Sequence, residues 1–139
     1  MMDNKIKEAF KLEMNEAQKA YTNGDLNRAF AHLERAHILG QRYFLKHWLT
    51  HWWMLKIGVR QHNLREIFGQ CLRLMAVIPG YIFGWVPKGN TGGASVSPLL
   101  PMILPADLEI LLKDYNVKRD VLIRTSAYLV LGILLYAIF

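Results

Sequence analysis

The sequence contains few of the residues that cross-link a small fold or interrupt its helices, namely cysteine and proline. Cys71 is the only cysteine, so an intramolecular disulfide is excluded. Four of the five prolines are confined to one segment, residues 87–105. Residues 1–19 are charged and amphipathic and lack the apolar run of a secretory signal. These absences predict a cytoplasmic protein held together by its hydrophobic core, which 139 residues are enough to bury.

Acidic residues are also fewer than basic ones, 11 against 17, and the net charge is +6. Such a balance favours anionic partners. The basic residues are scattered along the chain, however, and no nucleic-acid-binding motif organises them. We therefore expect a solvated basic surface and no specific nucleic-acid partner.

Apolar residues recur at spacings of three and four, which predicts an all-α fold. The predicted helices cover residues 4–22, 26–39, 42–58, 63–78, 108–115 and 117–139. Gly24 and Asp25 separate the first two, which resemble a single tetratricopeptide-like hairpin. Asp107 is expected to cap the short helix, and Pro79-Gly80 to interrupt the fourth one. The predicted fold is a compact bundle of four to five helices.

The proline-rich segment also carries glycines and is long for a loop without structure, so we expect it to be ordered. Its backbone amides could form a nest that binds an anion, with a lysine beside it. The candidate residues are Lys88, Gly89, Asn90, Thr91, Gly92 and Gly93. The alternative is a tight structural loop whose glycines permit close packing.

The C-terminal segment is strongly hydrophobic. Residues 127–139 carry no charge, but they are too few to span a membrane. A stretch that is long enough to do so must also include Arg124. We therefore divide the chain into a helical domain, residues 1–115, and a hydrophobic helix, residues 116–139. This helix either anchors the protein in the inner membrane, with the basic residues before it on the cytoplasmic side, or packs as a buried or dimerising helix.

Four of the five histidines lie within residues 32–51. His47 and His51 are four residues apart and can bind one metal ion from one helix. His37 lies on the apolar face of the preceding helix, with Glu34 at the edge of that face. A short turn should make the two helices antiparallel neighbours. The predicted metal ligands are Glu34, His37, His47 and His51, with His32 and Glu66 as lesser candidates.

A site of imidazole and carboxylate groups suits zinc, iron, manganese or copper. The same histidines could instead be structural and hydrogen-bonded, or act as acid–base catalysts without a metal. Two functional hypotheses follow. One is a small metal-binding protein; the other is a membrane-associated protein-interaction module, in which the histidines are structural. Either could form a homo-oligomer.

The order of these patterns resembles a small bacterial family catalogued as domain of unknown function 3703. The matching elements are Gly24-Asp25, Phe30, the stretch from His32 to His37, Leu39-Gly40-Gln41, the His47 and His51 pair, Met54-Leu55, Gly58, Glu66, Gly69-Gln70, and the loop from Pro87 to Ser97. The resemblance covers residues 5–112 and implies a bacterial origin, but no established activity. It marks the histidine/glutamate cluster and the glycine-rich loop as the signature of the family.

Overall fold

A computed structural model describes residues 3–138, and within that range the chain forms six helices and no strand. The predicted all-α fold is therefore confirmed. The helices are α1 (Asn4–Thr22), α2 (Leu26–Gly40), α3 (Phe44–Arg60), α4 (Leu64–Phe83), α5 (Ala106–Leu111) and α6 (Val117–Ile138).

Helices α1 and α2 form the predicted hairpin. Gly24, with a φ of +82°, makes the tight turn between them, and the Asp25 carboxylate accepts a hydrogen bond from the backbone N–H of Arg28 at 3.1 Å. The facing stripes of the two helices are apolar, and Leu33 on α2 is fully buried between them. This hairpin fixes the orientation of α2, which carries the first residue of the candidate site.

Helix α4 continues through Pro79 to Phe83, so the predicted interruption at Pro79-Gly80 is wrong. A proline removes one backbone N–H and crowds the carbonyl four residues earlier, here that of Met75. Met75 is exposed, and a carbonyl on the solvent side of a helix can tilt outward to relieve that crowding. The helix ends instead at Gly84, whose φ of +69° gives a left-handed cap.

Helix α5 begins at Ala106, after Pro105, and ends at Leu111. The prediction that Asp107 caps a helix over residues 108–115 is therefore wrong. Pro105 already has the backbone geometry that precedes a helix, and Asp107 lies in the first turn, where its carboxylate binds the Arg35 guanidinium. Leu108 joins the core formed by α1, α2 and α3.

Helix α6 has no buried residue, although its most apolar stretch of 18 residues has a mean hydropathy of 2.0. Its first turns are held to the bundle by Arg42, which binds the Asp120 carboxylate at 2.8 and 3.0 Å, and by Arg124, which lies over the Tyr81 ring. Helices α4 and α6 are both long and apolar enough to cross a membrane by length and composition. They differ because α4 buries Glu66, Gln70 and Val77 in the bundle.

The segment between α4 and α5 turns back over the bundle, and its internal hydrogen bonds show that it is ordered. The amide of Asn90 is buried and donates to the carbonyl oxygens of Ser97 and Leu100, both at 2.8 Å. The N–H of Met102 donates to the carbonyl of Lys88 at 3.0 Å. The loop is thereby closed on itself and presents the stretch from Asn90 to Ala94 to the helices below.

Candidate metal centre

Three histidines from two helices meet in the interior of the bundle. His37 lies in the last turn of α2, and His47 and His51 lie one turn apart on α3. Their side chains are 2%, 9% and 2% exposed. The Nε2 atom of His51 lies 3.2 Å from that of His37 and 3.0 Å from that of His47. We call these three residues the histidine triad; their ring nitrogens are close enough to hold one metal ion together.

The outward-facing nitrogens of two triad members are fixed by hydrogen bonds. Nδ1 of His37 lies 2.8 Å from the carbonyl oxygen of Asn90. A carbonyl oxygen only accepts, so this Nδ1 carries the proton. Because a neutral imidazole has one N–H, the Nε2 of His37 presents a lone pair to the centre of the triad.

His51 reaches the same state through Gln70. Its Nδ1 lies 2.6 Å from Gln70 Oε1. The Nε2 of that amide faces two acceptors, Glu66 Oε1 at 2.6 Å and the Gly92 carbonyl at 2.9 Å, which fixes which end is oxygen. Gln70 therefore accepts from His51 Nδ1, and the Nε2 of His51 also presents a lone pair. The Nε2 atoms of His37 and His51 therefore point their lone pairs at each other across 3.2 Å.

Burial keeps the triad unprotonated. It lowers the pKa of His37 to about 4, and the nearby Arg73 charge acts in the same direction. Burial also lowers the pKa of His47 and His51 well below its ordinary value, and repulsion from His37 adds to this. At neutral pH a proton shared between the opposed nitrogens is therefore unfavourable, and they remain available to another cation.

The loop is fitted closely against the triad. Gly92 has a φ of +81°, and a Cβ atom there would lie 2.7 Å from the His37 ring. On α4, a Cβ on Gly69 would lie 2.4 Å from that of Ala94. Arg73 fastens the same stretch by donating to the carbonyls of Gly93, at 3.0 Å, and of Val96. The loop is thus the wall that holds His37 in place.

A cavity of about 420 Å³ adjoins the triad. All three histidines line it, together with side chains of Gln41 and Arg73. The rest of the wall is mainly apolar and comes from Ala76, Val77, Pro79, Gly80, Phe83, Trp85, Val86, Pro87, Pro98 and Leu99. The triad is therefore covered on its hydrogen-bonded sides and faces an apolar space on another.

The predicted carboxylates lie outside the triad. Glu34 and Glu66 line a separate hollow with Asn27, Gln61 and Asn63. Burial and the neighbouring Glu66 raise the pKa of Glu34. Glu66 reaches the triad only through Gln70, and its two oxygens also accept from the Ala94 N–H at 3.2 Å.

The remaining candidates have other partners. His32 lies 2.7 Å from a Glu13 carboxylate oxygen, on the side of α2 that faces α1. In the loop, the Asn90 Oδ1 accepts from the Gly92 N–H at 3.0 Å, and the carbonyls of Asn90, Gly92 and Gly93 accept from side chains. The anion site formed by Lys88, Gly89, Asn90, Thr91, Gly92 and Gly93 stays a prediction.

Two residues of the site, Gln70 and Gln41, had weak signals in the sequence. Gln70 lies four residues after Glu66 on one helix face, a spacing that places their side chains in contact. Gln41 had no chemical signal beyond its place in the pattern Leu39-Gly40-Gln41. The acceptor for His37 is a backbone carbonyl, which any residue type supplies, so no residue identity could have indicated it.

A methyl group at Gly92 should disturb the triad. We expect Gly92→Ala to destabilise the protein, because the new Cβ would both meet the His37 ring and sit at a positive φ. Gly132→Ala is the matched control, because nothing lies within 4 Å of its Cβ position in α6. Urea denaturation should show a lower free energy of unfolding for Gly92→Ala alone; equal stability of the two variants would contradict the fitted loop.

The metal-free protein should lose stability in mild acid. The unfolded chain takes up protons near pH 6.5, whereas native His37 resists protonation until about pH 4. Stability should therefore be greatest above pH 6.5 and fall as the pH drops towards 4, by about 3 kcal/mol from His37 alone. Urea denaturation between pH 7.5 and 4.5 measures this, and His37→Gln should flatten the slope. A free energy of unfolding that is constant across that range would contradict the neutral triad.

Comparison with known proteins identifies the family that the sequence pattern resembles, but no individual relative. No curated protein and no solved structure matches the chain. One family matches residues 4–112, a segment that contains α1 to α5 and every residue of the triad and its loop, and that ends before α6. The chain therefore belongs to the family described as "Protein of unknown function (DUF3703)".

Proposed function

We propose that this protein binds one divalent transition-metal ion through the Nε2 atoms of His37, His47 and His51. The observation that carries the proposal is that the Nε2 atoms of His37 and His51 face each other with their lone pairs, 3.2 Å apart in the buried interior. Two acceptors that face each other repel, and burial increases that cost. A metal ion bound between the two nitrogens would attract both lone pairs, so that coordination replaces the repulsion.

The spacing of the nitrogens supports the proposal. Imidazole nitrogens lie ~2.0–2.1 Å from zinc, so two of them on a tetrahedral ion are about 3.3 Å apart. The contacts of 3.2 and 3.0 Å are close to this value. Small rotations of the rings would admit the ion, because the helices already hold the imidazoles at coordination distance.

The donor set favours particular metals. Three neutral imidazoles suit zinc, copper or iron, whereas manganese prefers carboxylate and water ligands. Three protein ligands with a further position towards a cavity are typical of catalytic rather than structural zinc sites. In that arrangement the metal would polarise a ligand or activate water.

Hydrogen bonds behind the ligands support the same role. Metal-bound histidines usually donate their second N–H to a carbonyl or carboxylate, which fixes the ring and strengthens the ligand. His37 does so to Asn90, and His51 does so to Gln70, which is in turn bonded to Glu66. We assign Glu66 this supporting role. Glu34, beside it, would act only indirectly, through the charge of that pair.

Metal binding can be tested by titrating the metal-free protein with zinc in a calorimeter and by elemental analysis of the purified protein. We expect one ion per chain. His37→Ala and His47→Ala should each weaken binding about 100-fold or more, because the site loses one of three ligands.

His32→Ala and His62→Ala are the matched controls, since both histidines lie outside the triad. They should bind zinc as the wild type does. The proposal fails if the folded wild type takes up no zinc, copper or iron, or if both triad variants keep full affinity.

A second candidate function is attachment to a membrane, with the bundle as an interaction module. It is favoured by α6, which has 22 residues and no buried residue, and whose most apolar stretch of 18 residues has a mean hydropathy of 2.0. A helix of this length can cross the hydrocarbon core, and Lys118 and Arg119 in its first turn would stay on the cytoplasmic side. The same anchor is compatible with a metal-binding bundle.

Charge placed in α6 tests the anchor. Leu131→Arg with Leu134→Arg should move the protein from the carbonate-resistant membrane fraction to the soluble one, because each arginine costs about 2.5–3.5 kcal/mol at the centre of a bilayer. Leu12→Arg with Leu45→Arg is the control, because both leucines are exposed on other helices. A wild type that is already soluble, or an unmoved double variant, would contradict the anchor.

A further inference from the structure

We propose that the cavity beside the triad binds a small apolar carboxylic acid with a hydroxyl group next to the carboxylate, and that this acid completes the metal coordination. The inference rests on the proposed metal site and adds the class of molecule that the site takes. It is carried by three features of the cavity: its apolar wall, its charge, and a buried amide that has no partner.

The cavity is shaped for an apolar molecule with one polar end. Its volume of about 420 Å³ falls within the range of small-molecule sites. Several lining residues are buried, among them the triad, Gln41 and Val77, whereas Phe83, Trp85 and Leu99 are more than half exposed. A ligand would therefore place its head against the triad and its tail between aromatic and aliphatic side chains towards the mouth.

The charge around the triad favours an anionic head. None of the described residues that line the cavity is acidic, and Arg73 contributes a positive charge to its wall. A divalent ion on three neutral imidazoles adds two more. Glu66, which binds Gln70 outside the cavity lining, offsets one of these three charges. Because the cavity wall is mainly apolar, the remaining positive charge favours a carboxylate bound to the metal.

Gln41 specifies the group beside the carboxylate. It caps α2, is 2% exposed and lines the cavity. Among residues 3–138, neither its Nε2 nor its Oε1 has a hydrogen-bond partner. A buried amide without partners is costly, so a ligand that pairs with it gains affinity. The Nε2 would donate to the free carboxylate oxygen, and the Oε1 would accept from an adjacent hydroxyl.

The cobalt-loaded full-length protein gives a direct test, because the visible spectrum of Co²⁺ responds to a new ligand. The probes are 2-hydroxyhexanoate, lactate, which lacks the tail, and hexanoate, which lacks the hydroxyl. We expect 2-hydroxyhexanoate to change the spectrum and to bind at least about ten-fold tighter than lactate, since each buried methylene strengthens binding roughly four-fold. It should also bind tighter than hexanoate.

Two variants locate the head and the tail. Gln41→Leu should weaken 2-hydroxyhexanoate about ten-fold or more and remove its advantage over hexanoate, because the hydrogen bonds to a charged group are lost. Gln18→Leu, at an exposed position on α1, is its control. Ala76→Trp, at an exposed position of the cavity wall, should remove the advantage over lactate, whereas Ala127→Trp on α6 should not.

The outcomes separate this inference from the metal site. If the triad binds Co²⁺ but no probe changes the spectrum, or if lactate binds as tightly as 2-hydroxyhexanoate, the metal site stands and the inference fails. Equal effects of Gln41→Leu on 2-hydroxyhexanoate and hexanoate would remove the hydroxyl from the proposed class. If Co²⁺ does not bind at the triad, the metal site and the inference fail together.

Discussion

The hydrogen bond between His51 and Gln70 is the interaction on which the centre of this protein depends. It sets the tautomer of His51, and the Gln70 amide then has only one orientation, because its nitrogen faces Glu66 and Gly92. One amide therefore connects α3, α4 and the loop. Its effect is electrostatic as well as geometric, since it leaves the inner nitrogen of His51 with a lone pair opposite that of His37. Core packing alone would not select this state.

The loop between α4 and α5 has a corresponding role for His37. It has no regular secondary structure, yet it is stiffened by the buried Asn90 side chain and fastened from outside by Arg73. A loop held in this way can place a single carbonyl oxygen as reliably as a helix does. Gly92 has two roles here. It allows the chain to approach the His37 ring closely, and its positive φ turns the chain away again. The irregular segment is therefore a part of the site.

The sequence was sufficient for the order of the helices and for the grouping of the three histidines, although it misplaced the end of α4 and the bounds of α5. His47 and His51 are four residues apart, and His37 lies on an apolar face. Neither pattern depends on the exact residue at which a helix begins or ends. The sequence was insufficient where the outcome depended on backbone atoms or on solvent. The passage of α4 through Pro79 depends on how exposed the preceding turn is, and the partner of His37 is the carbonyl of a residue more than fifty positions away in the chain. The partners of Glu34 and Glu66 likewise depend on where the loop lands, which no local pattern determines.

The position of the triad early in the chain has a consequence for biosynthesis. A ribosome makes α2 and α3 before it makes α4 and the loop, so all three imidazoles are synthesised before Gln70 and Asn90, which set the tautomers of His51 and His37. The tautomers of two residues placed early in the chain are therefore set by residues that are translated later. The electrostatic state of the triad thus depends on the completion of the second half of the bundle.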